Sequence, residues 1–223
     1  MFSVSASPTI ATWYGPANGA GTDGGACGYG NTVESNYGKF VTAVGNGLFK
    51  GGQECGACYQ VQCSSHPACS KNPIKVVVSD QCPGCNPFQF DLSGTAFGAL
   101  ASTGKAAELR NAGKIQINYQ RVPCQYGQKI KFVVDKGSNP NYIAVNIEEE
   151  GGDGDLSKVE IKQGSGEFRV AHQIFGATWG INSLVPGPLS IRLTTSSGRS
   201  VIANNVIPAG WHPGATYISS VQF

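Results

Sequence analysis

The sequence predicts an all-β protein of two domains, and three features of its composition support this prediction. Charged residues make up 13% of the 223-residue chain, about half of the ~25% that is usual in soluble domains. Glycine contributes 31 residues, which favours short strands joined by many turns over long helices. All eight cysteines lie in the first 124 residues. We therefore expect a cysteine-rich domain over residues 1–124 and a cysteine-free domain over residues 127–223.

The N-terminal domain is predicted to consist of short strands and one helix. The segment Gly15–Gly25 has the composition of a series of turns. Ile74–Ser79 is mostly apolar and β-branched, as expected for a strand that is buried on both faces. Ser93–Ala101 is the best helix candidate, and either Ser93 or Asp91 can cap its start. The other predicted strands of this domain are Phe40–Val44, Tyr59–Cys63 and Ile115–Val122.

The C-terminal domain shows apolar and polar residues in alternation, with turn residues between the alternating segments. Several short strands at such spacing are typical of an antiparallel β-sandwich of roughly 100 residues. The predicted strands are Lys129–Val134, Tyr142–Ile147, Val159–Lys162, Phe168–Ala171, Leu189–Thr194 and Val201–Ile207.

The cysteines indicate a secreted protein that is held together by disulfides. An even number of cysteines in one region is typical of a disulfide framework formed outside the cytosol. The alternative is a zinc site built from the C-x-x-C pairs Cys55–Cys58 and Cys82–Cys85. These pairs are separated by 23 residues, beyond the usual ~15–20, and four cysteines would remain unused. We therefore expect disulfides, no metal and no other cofactor.

Composition also excludes several classes of protein. The formal net charge of +2 is too small for a nucleic-acid-binding protein, because such proteins neutralise many phosphates. No apolar run reaches the ~20 residues of a membrane-spanning helix, and a hydrophobic content of 40% excludes a disordered chain. The segment Met1–Ser7 lacks the charged and apolar regions of a signal peptide. We expect a mature, secreted chain with neither a nucleic-acid nor a membrane partner.

Two carboxylates of the N-terminal domain have settings suited to chemistry. Asp80 follows the apolar strand predicted at Ile74–Ser79. Asp91 lies between Phe90 and Leu92, and we expect its pKa to be raised because apolar neighbours disfavour the charged form. A carboxyl group that stays protonated near neutral pH can serve as a general acid toward a glycosidic oxygen. The alternative is structural, with Asp91 capping the following helix and Asp80 binding turn amides.

Aromatic residues of the C-terminal domain suggest a second kind of site. Exposed aromatic rings in a row present flat apolar faces to the C–H faces of sugar rings, with little loss of entropy. Tyr142 follows Asn139–Asn141, and Trp179 lies within Gly176–Ile181. Both settings are turn-like, so we expect both rings to be exposed, with core packing as the alternative. The full set of candidates is Tyr142, Phe175, Trp179, Trp211 and Tyr217.

Eight motifs, in the same order along nearly the whole chain, resemble the expansin family. The last two match its β-expansin branch, which includes the group-1 grass pollen allergens. The motifs are Thr12–Gly15, Asp23–Gly28, Cys55–Cys58, Val77–Asp80, Gln89–Gly98, Arg121–Cys124, Lys136–Tyr142 and Val206–Trp211.

The resemblance implies a fold, a function and a location. The fold is an N-terminal six-stranded double-psi β-barrel, similar to that of family-45 endoglucanases, and a C-terminal immunoglobulin-like β-sandwich that binds cellulose. The function is non-hydrolytic loosening of the plant cell wall by a secreted monomer. Its partner is a wall polysaccharide, namely cellulose, xylan or mixed-linkage glucan. The implied disulfides are Cys27–Cys55, Cys58–Cys124 and Cys63–Cys69, with Cys82–Cys85 as a fourth across a short loop.

The resemblance also implies which residues contact the polysaccharide. An aromatic strip is implied at Trp13 and Tyr14 in the first domain and at Tyr142 and Trp179 in the second. The groove of the first domain is implied to be lined by Thr12, Trp13, Tyr14, Asp23, Asp80 and Asp91.

Two positions depart from the patterns of related proteins. Related endoglucanases read T-x-Y-x-D, and the aspartate of that motif is the catalytic base, but this chain has Pro16 there. We therefore expect no hydrolytic activity. Expansins commonly read His-Phe-Asp where this chain has Gln89 before Phe90 and Asp91. Glutamine can hydrogen-bond a sugar hydroxyl but does not titrate near neutral pH, so any role of a protonated histidine is lost.

Two alternative functions are compatible with the same residues. One is an endoglucanase or lytic transglycosylase acting on β-glucan, with Asp91 as the acid and Asp80 in support. The missing base argues against inversion, but acid-assisted cleavage by internal attack would not need it. The other alternative is a polysaccharide-binding module without loosening activity.

Overall fold

The structure is a computed structural model that describes residues 6–33, 35, 37–183 and 185–223. Met1–Ser5, on which most of the expectation about the signal peptide depends, lies outside the described residues. The chain divides into two compact units, Met1–Val122 and Pro123–Phe223. Strands dominate both units, and the described helices, all in the first unit, are short, which confirms the predicted all-β fold. No helix in the described part of the chain is long and apolar enough to cross a membrane.

The first unit is a closed six-stranded barrel. Its strands are β1 (Ser7–Tyr14), β2 (Val41–Val44), β3 (Cys58–Cys63), β4 (Ile74–Gln81), β5 (Phe90–Ser93) and β6 (Ile115–Val122). The order around the barrel is β1-β5-β2-β4-β3-β6, and the antiparallel pair of β1 and β6 closes it. β1 with β5 and β2 with β4 are parallel pairs, and the others are antiparallel. Closure leaves no exposed sheet edge, and the predicted barrel is confirmed.

Short helices complete the first unit. They are α1 (Asn46–Phe49), α2 (Gly94–Ala99) and α3 (Ala106–Ala112), with a 3-10 turn at Lys50–Gly52. The Oγ atom of Ser93 caps α2 by accepting a hydrogen bond from the backbone N–H of Ala96 at 3.1 Å. The prediction that Ser93 caps this helix is therefore confirmed, and the alternative that Asp91 caps it is wrong. The sequence did not predict α3, which is tied to α2 by the 3.0 Å bond from Arg110 Nε to the carbonyl of Gly94.

The second unit consists of two sheets that share one hydrophobic core. Its strands are β7 (Lys131–Val134), β8 (Tyr142–Glu148), β9 (Lys158–Gln163), β10 (Arg169–Val170), β11 (His172–Phe175), β12 (Thr178–Asn182), β13 (Leu189–Thr194), β14 (Ser200–Ile207) and β15 (Thr216–Ile218). One sheet has the order β10-β9-β13-β14 and the other β11-β12-β8-β7-β15. Both contribute to the core, which includes Phe132, Ile143, Val145, Trp179, Leu189 and Ile191. The predicted sandwich is confirmed, and β11, β12 and β15 were not predicted.

All eight cysteines are in disulfides, and the part of the chain described contains no free cysteine. Cys27–Cys55, Cys63–Cys69 and Cys82–Cys85 pair as the resemblance implied. Cys58 and Cys124 are also disulfide-bonded. Because both C-x-x-C pairs are oxidised, the alternative of a zinc site built from Cys55, Cys58, Cys82 and Cys85 is wrong.

Candidate functional site

Strand pairing in the barrel places Thr12, Asp91, Ala43 and Asp80 in one row across β1, β5, β2 and β4. Thr12 is opposite Asp91, Asp91 is opposite Ala43, and Ala43 is opposite Asp80. Residues that face each other in register project from the same side of a sheet. The two aspartate Cα atoms are therefore two strand spacings apart, about 10 Å. The methyl group of Ala43 leaves room between the two carboxyl groups.

A bulge brings Asp80 into this row. Between β2 and β4 the register shifts, so that Thr42 is opposite Val78 while Ala43 is opposite Asp80, and Ser79 is skipped. Bulges often occur beside functional sites because they redirect a side chain. Without this shift, Ser79 would occupy the position opposite Ala43.

A chain of hydrogen bonds fixes one oxygen of Asp91. Thr12 Oγ1 donates to Asp91 Oδ1 at 2.5 Å, and Gln89 Nε2 donates to Thr12 Oγ1 at 3.0 Å. The backbone N–H of Asn86 donates to Gln89 Oε1 at 3.3 Å. Since a backbone N–H can only donate, it fixes the orientation of the Gln89 amide. The Thr12 hydroxyl accepts the hydrogen bond from Gln89 and has a single proton of its own, which it donates in the hydrogen bond to Asp91 Oδ1. A proton bound by Asp91 must therefore reside on Oδ2.

The surroundings of Asp91 favour its protonated form. Burial is the main cause that raises the pKa of Asp91, and the negative charge of Asp80 raises it further, whereas the hydrogen bond from Thr12 opposes the shift. The prediction of a raised pKa is confirmed in its direction. Within the described residues, the other oxygen of Asp91, Oδ2, has no hydrogen-bond partner, and Asp91 itself is half-buried.

Asp80 is held by backbone amides. Its Oδ1 atom accepts hydrogen bonds from the N–H groups of Ala26 at 2.7 Å and of Gln81 at 2.8 Å. A Cβ atom at Gly25 would lie 2.7 Å from the carbonyl oxygen of Ser79 and 3.1 Å from Asp80 Cβ, so glycine is required for this approach. The alternative that Asp80 binds turn amides is confirmed. These two hydrogen bonds also hold the carboxylate of Asp80 in place near Asp91.

The aromatic residues of β1 face opposite sides of the strand, because successive side chains alternate. Tyr14 shares the side of Thr12, and its ring packs on the backbone of Gly21. Burial, followed by the charge of Asp80, raises the pKa of Tyr14, so the phenol stays protonated. Trp13 donates its indole N–H to the carbonyl of Arg110 at 3.1 Å, and its ring centroid lies 6.4 Å from that of Phe97. Both rings are half-buried.

The remaining predicted groove residues divide into two cases. Gln89 is 8% exposed and acts through Thr12 rather than at the surface. Asp23 is exposed, and within the described residues its carboxylate has no hydrogen bond or ion pair. The structure thus brings Thr12, Asp80 and Asp91 together, supported by Gln89. It does not connect Asp23 to them.

In the second unit, the expectation that Trp179 is exposed is wrong. Trp179 is 8% exposed and belongs to the core. The segment around it is strand β12 rather than a turn, and Trp179 projects inward opposite Val145. Phe175, at the end of the edge strand β11, is 49% exposed. Tyr142, at the start of β8, is half-buried.

Sequence reasoning named Phe175 among the aromatic candidates but did not place it in the implied aromatic strip, and it did not select Ala43. A signal existed for Phe175, because it directly precedes Gly176 and Ala177, and a side chain next to a tight turn is commonly accessible. No local signal existed for Ala43. Its importance arises only from the pairing of β2 with two other strands.

Comparisons with known proteins agree with this architecture. A family model described as the expansin C-terminal domain matches residues 130–208, and one described as lytic transglycolase matches residues 41–119. Expansin-B4 of Arabidopsis thaliana is 49% identical over 222 residues, covering 95% of this chain and 85% of the relative. Expansin-B11 of Oryza sativa subsp. japonica is 47% identical over 223 residues, covering 96% and 76%.

Two solved structures are similar to this chain over nearly its whole length. The apo expansin of Clavibacter michiganensis matches with a TM-score of 0.77 and 25% identity, covering 98% of both chains. A mutant of that expansin, solved in complex with cellohexaose, matches equally well.

A barrel with an acidic row, followed by a β-sandwich, defines a class of two-domain polysaccharide-binding proteins. This chain belongs to the expansin family, and its relatives are of the expansin-B type. The predicted resemblance is therefore confirmed. The predicted function is confirmed for the family, which loosens cell walls by binding polysaccharide and is generally non-hydrolytic.

Proposed function

We propose that this protein loosens the cell wall by binding an extended β-glucan chain at the row of Thr12, Asp91 and Asp80. The bound chain is separated from its neighbours as hydrogen bonds between glycans are exchanged for hydrogen bonds to the protein. No glycosidic bond is cleaved. The observation that carries the proposal is Asp91, a carboxyl group with a raised pKa and one oxygen that has no hydrogen bond within the described residues.

Asp91 acts as a hydrogen-bond donor to a sugar oxygen. Its Oδ1 atom is occupied by the hydroxyl of Thr12, so the protonated Oδ2 faces the ligand. Asp80 is a positioning residue that keeps the proton on Asp91 through its negative charge. Its own Oδ1 atom accepts hydrogen bonds from two backbone N–H groups, which hold the carboxylate in place.

The absence of a base supports binding without hydrolysis. An inverting hydrolase needs a second carboxylate that activates water, and the position of that group in related endoglucanases is Pro16 here. Pro16 offers the site a backbone carbonyl, which already accepts the N–H of Gly19 at 2.9 Å. A carbonyl group does not take a proton from water at physiological pH. The protein therefore retains a donor, while the position that holds the base in related endoglucanases cannot activate water.

Aromatic rings supply the sugar-stacking surface of each unit. In the barrel this ring is Tyr14, which is half-buried on the same side of β1 as Thr12. Trp13, also predicted, is half-buried on the opposite side of β1, away from the row. In the sandwich, Tyr142 remains a residue that we propose to stack on a sugar ring. Trp179 is replaced by Phe175, because a ring that is 8% exposed offers no face to a ligand whereas one that is 49% exposed does.

The ligand class is a β-linked glucan or xylan of the cell wall. The complex of the Clavibacter michiganensis expansin with cellohexaose makes a β-1,4-glucan chain the preferred first candidate. We further propose that the protein acts as a secreted monomer in the cell wall, in keeping with its disulfides.

A lytic transglycosylase activity is the second candidate. It is favoured by the family model described as lytic transglycolase, which matches residues 41–119, and it needs an acid such as Asp91 but no base. Mass spectrometry of glucan incubated with the protein separates the two candidates. Internal cyclisation gives oligosaccharides that lack one water relative to hydrolysis products, whereas a loosening protein gives neither kind of product.

Extension of isolated wall strips under constant load tests the proposal. Asp91→Ala removes the donor, and we expect extension to fall to the level of buffer alone. Glu108→Ala is the matched control, because Glu108 is an exposed carboxylate of the same unit whose partner Lys105 lies 3.9 Å away, and exposed pairs contribute little. Equal extension by the Asp91→Ala variant and the native chain would overturn the proposal.

A further inference from the structure

The Cys82–Cys85 disulfide is more accessible than the other disulfides. Cys82 and Cys85 are half-buried, and Pro83 and Gly84 between them are exposed. The six other cysteines are each at most 8% exposed. A small dithiol in solution therefore reaches this bond first, since access controls the rate of thiol–disulfide exchange.

This disulfide also adjoins the candidate site. Both sulfur atoms and a carboxylate oxygen of Asp91 lie within 4.8 Å of one another. The loop that the disulfide closes has a sequence separation of 3. Because the stabilisation from a disulfide grows with the length of the closed loop, this bond constrains the unfolded chain least among those described.

The residues flanking the disulfide hold the two aspartates of the row. Gln81 directly precedes Cys82, and its N–H donates to Asp80 Oδ1 at 2.8 Å. Asn86 directly follows Cys85, and its N–H donates to Gln89 Oε1 at 3.3 Å, which begins the chain through Thr12 to Asp91. The disulfide thus ties together the two backbone amides on which the orientation of both carboxyl groups depends.

We propose that Cys82–Cys85 is a reversible redox site that controls the orientation of Asp91. In the reduction step a small dithiol breaks the S–S bond, is itself oxidised to a cyclic disulfide, and transfers two protons and two electrons to give two cysteine thiols. The Cys82–Cys85 turn then opens, Asn86 releases Gln89, and Thr12 no longer has a fixed proton for Asp91.

Reduction loosens the orientation of Asp91 only in part, because other contacts of the Cys82–Cys85 turn do not involve sulfur. Cys82 N–H donates to the carbonyl of Val44 at 2.9 Å, and Gln89 N–H donates to the carbonyl of Asn86 at 3.0 Å. The barrel therefore stays folded in the reduced form. C-x-x-C pairs are the common arrangement of reversible redox sites. The reverse exchange restores the bond: a small disulfide takes up two electrons and two protons from the two cysteine thiols and is reduced to a dithiol.

The first part of the test is chemical and independent of the proposed function. The full chain is treated with graded amounts of a dithiol, alkylated and mapped by peptide mass spectrometry. We expect Cys82 and Cys85 to be labelled before any other cysteine, while circular dichroism remains that of the native chain. Labelling of a buried pair first would overturn the redox site.

The second part measures the consequence for the site. We expect reduction to shift the NMR signals of the Gln89 side-chain amide and to weaken cellohexaose binding about three- to tenfold, the equivalent of one ordinary hydrogen bond. Cys82→Ser/Cys85→Ser should show both changes permanently and respond no further to dithiol, which serves as the control. Unchanged Gln89 signals on reduction would refute the coupling. An oxidised chain that fails to bind cellohexaose would contradict the proposed function instead, while the amide signals still decide the redox coupling.

Discussion

Asp91 owes its chemistry to its neighbours rather than to its position on a strand. Burial and the charge of Asp80 favour the protonated carboxyl, while the hydroxyl of Thr12 favours the ionised one. Gln89 determines that the Thr12 hydroxyl donates to Asp91 and not elsewhere. The balance of these opposing effects sets the pH range in which Asp91 stays protonated, and therefore the range in which the proposed hydrogen bond to a sugar can form.

Replacing Thr12 tests this balance. Thr12→Val removes the hydrogen bond that stabilises the ionised carboxylate, so we expect the pKa of Asp91 to rise further, as measured by NMR titration of its carboxyl carbon. Thr9→Val is the matched control, because the hydroxyl of Thr9 lies on the same strand and donates to the carbonyl of Phe88 instead. A pKa that falls or stays constant in Thr12→Val would show that the bond does not act on Asp91.

Binding should depend on pH through the same residue. Because the pKa of Asp91 is raised, its proton persists above the ordinary value of about 4, and cellohexaose affinity should fall as the pH rises through the pKa of Asp91. Tyr14 does not contribute, since its pKa is also raised. Asp91→Asn places an amide N–H where the acid proton was, so its affinity should be independent of pH. Calorimetry between about pH 4 and pH 8 checks both expectations, and a pH-independent native chain would contradict them.

Among the structural elements, the hairpin of β11 and β12 carries one aromatic residue that packs in the core and another that is available for binding. Trp179 faces the core, and Phe175 faces solvent. We expect Trp179→Ala to lower the free energy of unfolding by about 3–5 kcal/mol, as is usual for a large aromatic residue in a core. Phe175→Ala should leave the free energy of unfolding within about 0.5 kcal/mol and reduce adsorption to insoluble cellulose.

Urea denaturation and a cellulose pull-down measure the two effects. The account of this hairpin fails if Phe175→Ala destabilises the protein as much as Trp179→Ala, or if it leaves adsorption at the native level.

The elements also show what the sequence can predict. Regular β-branched and apolar runs gave accurate bounds for β6 and β13, which begin and end where predicted. β5 was missed because it has only four residues and its last residue, Ser93, is also the cap of α2. β12 was missed because Gly176 and Gly180 suggested a turn around Trp179. Short strands whose pairing is the main stabilising interaction have little local signal.

The residues of the candidate site were also harder to predict where they depend on pairing between distant strands. Asp91 was predicted from its apolar neighbours, because desolvation is a local property. Its link to Thr12 joins residues 79 positions apart through a parallel strand pair, so only the resemblance to a family indicated it. The bulge that brings Asp80 opposite Ala43 has no sequence signal that we identify.

Across the whole molecule, buried carboxyl groups link stability to pH. Glu148, Glu149, Glu150 and Asp155 are all buried, and Lys131 forms an ion pair with Glu149 at 2.5 Å. Burial raises the pKa of Glu148 to about 7, with Lys131 opposing the shift. Burial, with smaller contributions from nearby acids, raises the pKa of Glu150 well above its usual value.

The sign of the resulting pH dependence follows from proton linkage. Between the ordinary pKa of glutamate and the raised values, the folded chain binds more protons than the unfolded chain, so the free energy of unfolding falls as the pH rises. We expect a higher melting temperature at about pH 5 than at about pH 8. Glu150→Gln replaces a titrating carboxyl, one oxygen of which is buried without a hydrogen-bond partner in the described structure, by a group that does not titrate, and it should flatten this dependence.

Scanning calorimetry over that pH range, with Glu108→Gln as the exposed control, checks the expectation. The control should retain the native slope. A melting temperature that rises with pH in the native chain, or an unaltered slope in Glu150→Gln, would show that these carboxyl groups do not control stability.

The central claim is that one free proton donor, without a base, separates glycan chains and leaves their linkages intact. The most direct measurement records extension of a wall strip while mass spectrometry follows the oligosaccharides released from that same strip. The account predicts extension with no release above that of a strip in buffer. Steady release of oligosaccharides in proportion to extension, with or without the loss of one water, would contradict it.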